Sequence, residues 1–338
     1  MVSKKQLFKL LLYIILIIGL YQVGIFLLSS LKFLHRHFII NGKNLSNIYG
    51  KNSWVIITGA SSGQGKYFAH EMSKKDFNLI LIGSDRTNST IQEISKINPN
   101  TKIKFIKKDF RKAYQEDFFD EIESVIDSKE VNGNISGLIN NVAYRVAWNP
   151  YHKMPKDHIN DSIIVGTIVQ SQLTRIVIER FLKRSDSSKS NFIVNITAQC
   201  IFPTFGIGQI MENHITVPFL SVYEGANAFG FYQGNSIYKE YIMPKYKNKI
   251  HIINVMPGAV VTENTKYLGN TIFNVSAKKF VNNVVRQIGT CQGNIYGYWG
   301  HEFSILLANL FPFIKDKSLH QIGIDISKDF MNKPNKKY

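Results

Sequence analysis

Hydrophobic and polar positions along this chain follow three different rhythms. From Leu10 to Leu31 no residue is charged, and Leu, Ile and aromatic residues run on without alternation, between Lys4, Lys5 and Lys9 on one side and Lys32 and Arg36 on the other. About 20 apolar residues at ~1.5 Å each cross a hydrocarbon layer of ~30 Å. A cleaved signal peptide would be shorter and would carry a small-x-small cleavage site, which this run lacks. Residues 1–34 therefore read as a transmembrane anchor and 35–52 as a short polar linker, with basic residues nearly balanced at the two ends of the span. Beyond residue 53 the rhythm shortens. β-Branched runs at Trp54–Thr58, Asn78–Ile82, Lys102–Lys107, Ile135–Asn140, Phe192–Ile196 and Ile250–Val255 predict strands. Helical spacing between them covers Gly63–Lys74, Thr90–Ile97, Asp117–Asp127, His158–Leu182, Tyr223–Tyr241 and Ser276–Ile288. Such alternation predicts an α/β fold over 53–300: a doubly wound parallel sheet with helices on both faces. Residues 301–338 form a hydrophobic and basic tail, whose apolar run Phe303–Ile314 is too short to span a bilayer. That run either covers the core or dips into the membrane interface.

Ligands of such sheets bind at the carboxyl ends of the strands, and the first strand here ends in TGASSGQG. Gly59, Gly63 and Gly65 allow a sharp turn and a close approach to the main chain, so the amides opening the next helix can hold a pyrophosphate. The sheet is thus expected to be of the Rossmann, dinucleotide-binding type. The formal charge is +17, but the lysines are dispersed and no nucleic-acid motif accompanies them, so the excess reads as a solvated basic surface. Two cysteines, Cys200 and Cys291, give neither a disulfide framework nor metal-ligand spacing, and no metal is expected.

Three segments now carry a family resemblance. TGASSGQG at Thr58–Gly65, NNVA at Asn140–Ala143 and MPGAVVT at Met256–Thr262 are similar to the cofactor turn, the fourth-strand element and the nicotinamide loop of the short-chain dehydrogenases/reductases. The anchor, the lead-in GKNSWVIITGASSGQGK, the stretch KKDFNLILI, the KKDF at Lys107–Phe110 and the late GYWGHE resemble one branch of that family. This branch comprises the membrane-anchored very-long-chain 3-oxoacyl-CoA reductases and the related 17β-hydroxysteroid dehydrogenase type 12. The resemblance implies NADPH-dependent reduction of a 3-oxoacyl-CoA or related lipid or steroid ketone in fatty acid elongation, with NADH as the alternative cofactor. It implies a single-pass protein of the endoplasmic reticulum membrane with its catalytic domain in the cytosol. A homodimer through the helices His158–Leu182 and Tyr223–Tyr241, or a partner in an elongation complex, is likewise implied; nucleic acid is not.

Carried over residue by residue, the resemblance gives Thr58, Gly59, Ser61, Gly63 and Gly65 to the pyrophosphate and Asp109 to the adenine. It gives Asn140 to the cofactor wall and Val260 and Thr262 to the nicotinamide amide. Arg86, in Gly83-Ser84-Asp85-Arg86, would meet a 2′-phosphate, whereas Asp85 would suit a free 2′-hydroxyl. The catalytic group departs from the pattern. The family tyrosine matches Tyr223, but its lysine is Asn227, its serine is Ala198 beside Thr197, and its helix asparagine falls at Gly166. Tyr241 and Lys245 share the Tyr-x-x-x-Lys spacing, but Pro244 breaks the helix that would align them. An extra segment, Pro203–Val217, separates Ala198 from Tyr223 and is expected at the substrate mouth. Losing one carbonyl-directed donor costs about 10²–10³ in rate. Without the lysine, Tyr223 should titrate nearer ~10, which harms alcohol oxidation more than ketone reduction. Thr197 or Asn227 would have to compensate. Two readings follow: a reductase with Tyr223 as proton donor, or a catalytically impaired relative that binds nucleotide and serves as a scaffold.

Overall fold

The structure is a computed structural model that describes residues 3–186, 188–199, 217–246, 249–310, 321 and 324–325. Its first element, α1 (Lys4–Leu34), starts from a capping box in which Ser3 and Gln6 satisfy each other's backbone amides. No residue of α1 is buried. A π-helical turn, His35–Ile39, prolongs it to a 36-residue helix, long and apolar enough to cross a membrane.

The stretch expected as a polar linker does more than connect. Within it α2 (Leu45–Tyr49) inserts Leu45 and Tyr49 into the core. The Tyr49 ring lies 4.7 Å from that of Phe192, and its hydroxyl meets His251 Nδ1 at 2.9 Å. Leu45, Ile48 and Tyr49 keep helical spacing, but one turn is too short to register as a periodic signal.

The core follows as β1 (Trp54–Thr58), α3 (Gly63–Ser73), β2 (Asn78–Gly83), α4 (Thr87–Ile97), β3 (Ile103–Lys107), α5 (Asp120–Asp127) and β4 (Ile135–Asn140). After α6 (Lys156–Ile163) and α7 (Val169–Lys183) come β5 (Asn191–Ile196), α8 (Ser221–Tyr241) and β6 (Ile250–Val255). The chain continues through β7 (Val260–Val261), β8 (Val275–Ser276), α9 (Ala277–Gln287), β9 (Gly293–Ile295) and α10 (Trp299–Leu310). Among the described residues seven strands form one parallel sheet in the order β3-β2-β1-β4-β5-β6-β9. The order reverses at β1, which puts the ligand crevice between the ends of β1 and β4.

Strand alternation sorts the core into two apolar clusters, one on each face of the sheet. Val55, Ile57, Leu79 and Leu81 pack with Phe68 and Met72 of α3 and Phe280 and Val284 of α9. Trp54, Ile56, Ile80 and Ile82 pack on the other face with Ile122 of α5 and Leu173 and Val177 of α7. Helices therefore cover both faces, as a parallel sheet requires.

Three features differ from the sequence expectation. The segment His158–Leu182 is not one α-helix: a π-turn, Ile164–Ile168, joins α6 to α7. The strand β9 and the two-residue ladder β7–β8 escape a periodicity reading because neither offers a run of four alternating positions. The boundary drawn between 300 and 301 falls inside α10, where His301 and Glu302 are buried.

Candidate active site

The turn after β1 has the backbone its glycines suggest. Gly59 (φ +68°) and Gly63 (φ +55°) occupy the left-handed region, and a Cβ on Gly65 would strike the Gly59 carbonyl oxygen. Ser62 caps α3 without a side-chain hydrogen bond, so that side chain does not cover the amides of the first turn. Amides presented in this way, at the positive end of the helix, fit a pyrophosphate. Thr90 Oγ1 donates to Ala60 O at 3.0 Å and ties α4 to the turn.

Thr58 lies at the base of this turn. It is fully buried, and its hydroxyl accepts from the amides of Asn141 and Val142, each at 3.0 Å. It clamps the ends of β1 and β4 together beneath the cradle.

Across the crevice, the loop leaving β6 is fixed from beneath. The β-carbon position of Gly258 lies 2.8 Å from His301 Cδ2, and His301 Nε2 stands 3.2 Å from the Ala259 carbonyl oxygen. Burial pushes the His301 pKa from 6.5 down to about 4, so the ring is neutral and donates from Nε2. Further along, Thr265 Oγ1 donates to Val260 O at 2.7 Å and accepts from Thr262 N at 2.8 Å. Val260 also pairs with Val275 in the β7–β8 ladder. The Gly63 β-carbon position lies 3.3 Å from Thr262 Cγ2, so the β6 loop and the glycine turn face each other at contact distance.

Beside them lies a small cavity, open to solvent, whose walls include Tyr223, Asn227, Thr197, Gly166, Ser162 and Tyr144. Tyr223, Asn227, Thr197 and Gly166, which the resemblance sets at the catalytic positions, thus meet in one cavity. Their chemistry differs from the family pattern. Thr197 Oγ1 donates to Val255 O at 3.1 Å, which turns its proton toward β6 and away from a substrate carbonyl. Asn227 Nδ2 donates to Tyr223 O, one turn back in α8, at 2.8 Å. Among the described lining residues none is a lysine or an arginine. A Cβ on Gly166 would lie 2.7 Å from Ala226 Cβ, so the contact between the π-turn and α8 leaves no space for the family's asparagine. Ala198 is buried against Phe231 and Met256, with Tyr223 packed on the same cluster.

Ser162 escaped the sequence reading although it lines the cavity and is buried. Besides Thr197 it carries the only aliphatic hydroxyl among the described lining residues. A signal existed: Ser162, Gly166 and Gln170, all lining, recur every fourth position of a helical segment whose other residues, Thr167 apart, are apolar.

At the other end of the crevice, Asp109 is engaged by its neighbour. Arg111 Nε and Nη2 donate to its carboxylate at 2.9 and 2.6 Å, and this pairing holds the Asp109 pKa below the usual carboxylate value. Asp85 pairs with Lys107 at 2.7 Å, whereas Arg86 is exposed at the N-cap of α4.

Asn140 faces its neighbouring strand. Its Nδ2 donates to Asn195 Oδ1 (2.9 Å), Asn195 Nδ2 to Asn254 Oδ1 (3.0 Å), and Asn254 Nδ2 to Asn294 Oδ1 (3.1 Å). These four carboxamides occupy paired registers on β4, β5, β6 and β9. Asn140 is therefore the first rung of a polar ladder. The segment Pro203–Val217 lies outside the described residues up to position 216, as does Cys200.

Residues 53–205, from the strand that precedes the glycine turn to beyond the end of β5, match the family model described as short chain dehydrogenase. The chain carries a short-chain dehydrogenase domain. Among curated relatives, a very-long-chain 3-oxoacyl-CoA reductase of Coccidioides immitis is 27% identical over 318 residues, 90% of this chain and 83% of that protein. A 17-beta-hydroxysteroid dehydrogenase type 3 of Rattus norvegicus is 27% identical over 305 residues, 88% of this chain and 90% of the relative. Among solved structures, the 3-oxoacyl-acyl-carrier-protein reductase of Brucella melitensis in complex with NAD superposes with a TM-score of 0.60 at 17% identity. That match covers 75% of this chain and 98% of the other, and it establishes the fold.

Proposed function

We propose that this protein is a membrane-anchored reductase of a lipid ketone, of the 3-oxoacyl-CoA class, driven by a nicotinamide cofactor. The observation that carries the reading is Tyr223 on the wall of a cavity that it shares with the end of β5 and the helix bearing Ser162 and Gly166. The cofactor, when bound, supplies a hydride to the carbonyl carbon. Gly59, Ser61, Gly63 and Gly65 would hold its pyrophosphate, and Val260 and Thr262 its amide. The Tyr223 hydroxyl gives the balancing proton to the carbonyl oxygen, so that C=O becomes CH–OH. Ser162 supplies the second hydrogen bond to that oxygen, a role that the hydroxyl of Thr197, already donated to Val255, does not fill.

NADPH is favoured over NADH because Lys107 neutralises Asp85 and leaves Arg86 to meet a 2′-phosphate. The 36-residue N-terminal helix supports a single-pass membrane protein, and the resemblance of its motifs extends this reading to the endoplasmic reticulum with the domain in the cytosol. Exposed Phe229 and Tyr232 on α8 support a homodimer through α7 and α8.

A second reading has its own support. Asn227 is bonded to its own helix and stands where the family has its lysine, and no described lining residue is a cation, as a nucleotide-binding scaffold would allow. One assay separates the two. Purified full-length protein should consume NADPH with a 3-oxoacyl-CoA, and Tyr223→Phe should reduce the rate to blank while nucleotide binding persists. Blank activity in the unmodified protein, with nucleotide still bound, would favour the scaffold.

A further inference from the structure

We propose that the domain lies directly on the bilayer, through an apolar belt of Phe38, Ile39, Ile272, Phe273 and Phe303, and draws a lipid substrate from that surface. This rests on the reading of α1 as a membrane span. The anchor does not end in a loose tether. Its helix runs on to Ile39, and its last turns are clamped to the domain. Arg36 Nη1 and His37 Nε2 reach Glu302 Oε2 at 2.8 and 2.7 Å, and Arg286 Nη2 donates to His37 O at 2.7 Å. The His37 side chain is 1% exposed and that of Glu302 10%, so breaking the clamp strands charge in a poorly solvated place.

A rigid clamp fixes the depth of whatever surrounds it. Phe33 stands two residues past Leu31, about 3 Å along the helix axis from the end of the uncharged run. The Phe33 ring packs 6.5 Å from Phe303 and 5.9 Å from Phe38. Side chains of a helix lean toward its N-terminus, so Phe38 is tilted toward the membrane. The main chain at Ile272 abuts Gly300, one turn before Phe303, which places Ile272 and Phe273 beside the same helix. Phe38 is 60% exposed, Ile272 58% and Phe303 36%. Large apolar side chains gathered at the level of a bilayer surface mark a surface that lipid covers. Lys32 beside them and the basic charge of the chain suit anionic headgroups.

The belt also connects with the cavity. Gln199 Nε2 donates to His301 O (2.7 Å) and Ser304 Oγ (2.9 Å), so the chain leaving β5, two residues past Thr197, is fastened to α10. One helix thus carries both the membrane contact and the support of the cavity's rim. A substrate whose acyl or sterol part stays in the bilayer would reach Tyr223 without crossing water.

The test uses the full-length chain reconstituted in phosphatidylcholine vesicles, with tryptophan added at Phe273→Trp, at Phe303→Trp, or, as a control, at the exposed Tyr114→Trp that follows β3, the sheet edge opposite β9. Flotation with the vesicles reads the anchor, and emission in brominated against ordinary lipid reads the docking. An interfacial side chain sinks roughly 5–10 Å into the headgroup boundary, so the added emission at 273 and 303 should fall by about twofold in brominated lipid, with none lost at 114. Glu302→Gln should reduce the quenching at 303 while flotation is kept. Flotation without quenching at 273 and 303 overturns the docking and leaves the anchor standing; a protein that does not float overturns both. Loss of quenching in particles that hold a second protein would assign the belt to that partner and overturn the lipid contact.

Discussion

His301 gives the protein a defined weakness toward acid. The ring lies under the β6 loop, packed 5.7 Å from Phe280 and 5.2 Å from Tyr298, with the carbonyls of Ala259, Phe273 and Tyr296 around it and His37 as a nearby cation when protonated. Those carbonyls favour the charged ring, but desolvation outweighs them and lowers the pKa from 6.5 to about 4. In the unfolded chain the ring binds its proton near pH 6.5, so between 6.5 and 4 the unfolded state holds more protons than the native one. The stability supplied by the neutral ring is therefore complete above pH 6.5 and is lost as the pH falls toward 4. Each pKa unit is worth ~1.4 kcal/mol, so the full loss is about 3 kcal/mol. For a domain of this size that corresponds to roughly 6–12 °C in Tm. The assay is thermal unfolding of the detergent-solubilised full chain at half-unit steps from pH 7.5 to 4.5, beside His301→Gln, which keeps a donor for Ala259 but does not titrate. His70, His158 and His251 are also lowered by burial, and because they remain in the variant their slopes cancel in the difference. The unmodified protein should lose its advantage over the variant steadily below pH 6.5. A difference that stays flat from pH 7 to 4.5 would refute the reasoning.

Other expectations follow from contacts already described. Gly166→Ala should destabilise the domain by about 1–3 kcal/mol, since its Cβ would lie 2.7 Å from Ala226 Cβ, and Ala226→Gly in the same chain should restore the denaturation midpoint. Arg86→Ala should raise the Kd for NADPH about tenfold, as the loss of one charge-assisted contact does, with little change for NADH by calorimetry. Asn254→Ala strands the buried Asn195 donor, whereas the exposed Asn294 acceptor turns to water, and should cost about 1–3 kcal/mol, read from chemical denaturation.

Much of the scaffold could be read from residue patterns because it depends on local periodicity. β1, β4 and β6 begin and end where their β-branched runs do, and the glycine turn adopts the left-handed backbone that its residue types demand. What stayed hidden depends on tertiary partners. The hold of the Thr58 hydroxyl on the amides of Asn141 and Val142 joins two strand ends that are remote in sequence. Thr197 looks like a substitute serine until Val255 claims its proton. Leu45 and Tyr49 lie in a five-residue helix whose single turn carries no periodic signal. For the two threonines the deciding partner is a contact that residue spacing does not encode.

The row of carboxamides across β4, β5, β6 and β9 has a consequence for assembly. Apolar strands of a parallel sheet buried on both faces read nearly alike in neighbouring alignments, so oily side chains discriminate poorly against a slip of one residue. Such a slip here would part the buried amides of Asn140, Asn195 and Asn254 from their mates and set them against hydrocarbon. Since amides joined in series strengthen one another, the mismatch grows with the number of strands involved. The strands bordering Tyr223 are in this way proof-read for alignment by polar matching, whatever changes the catalytic side chains have undergone.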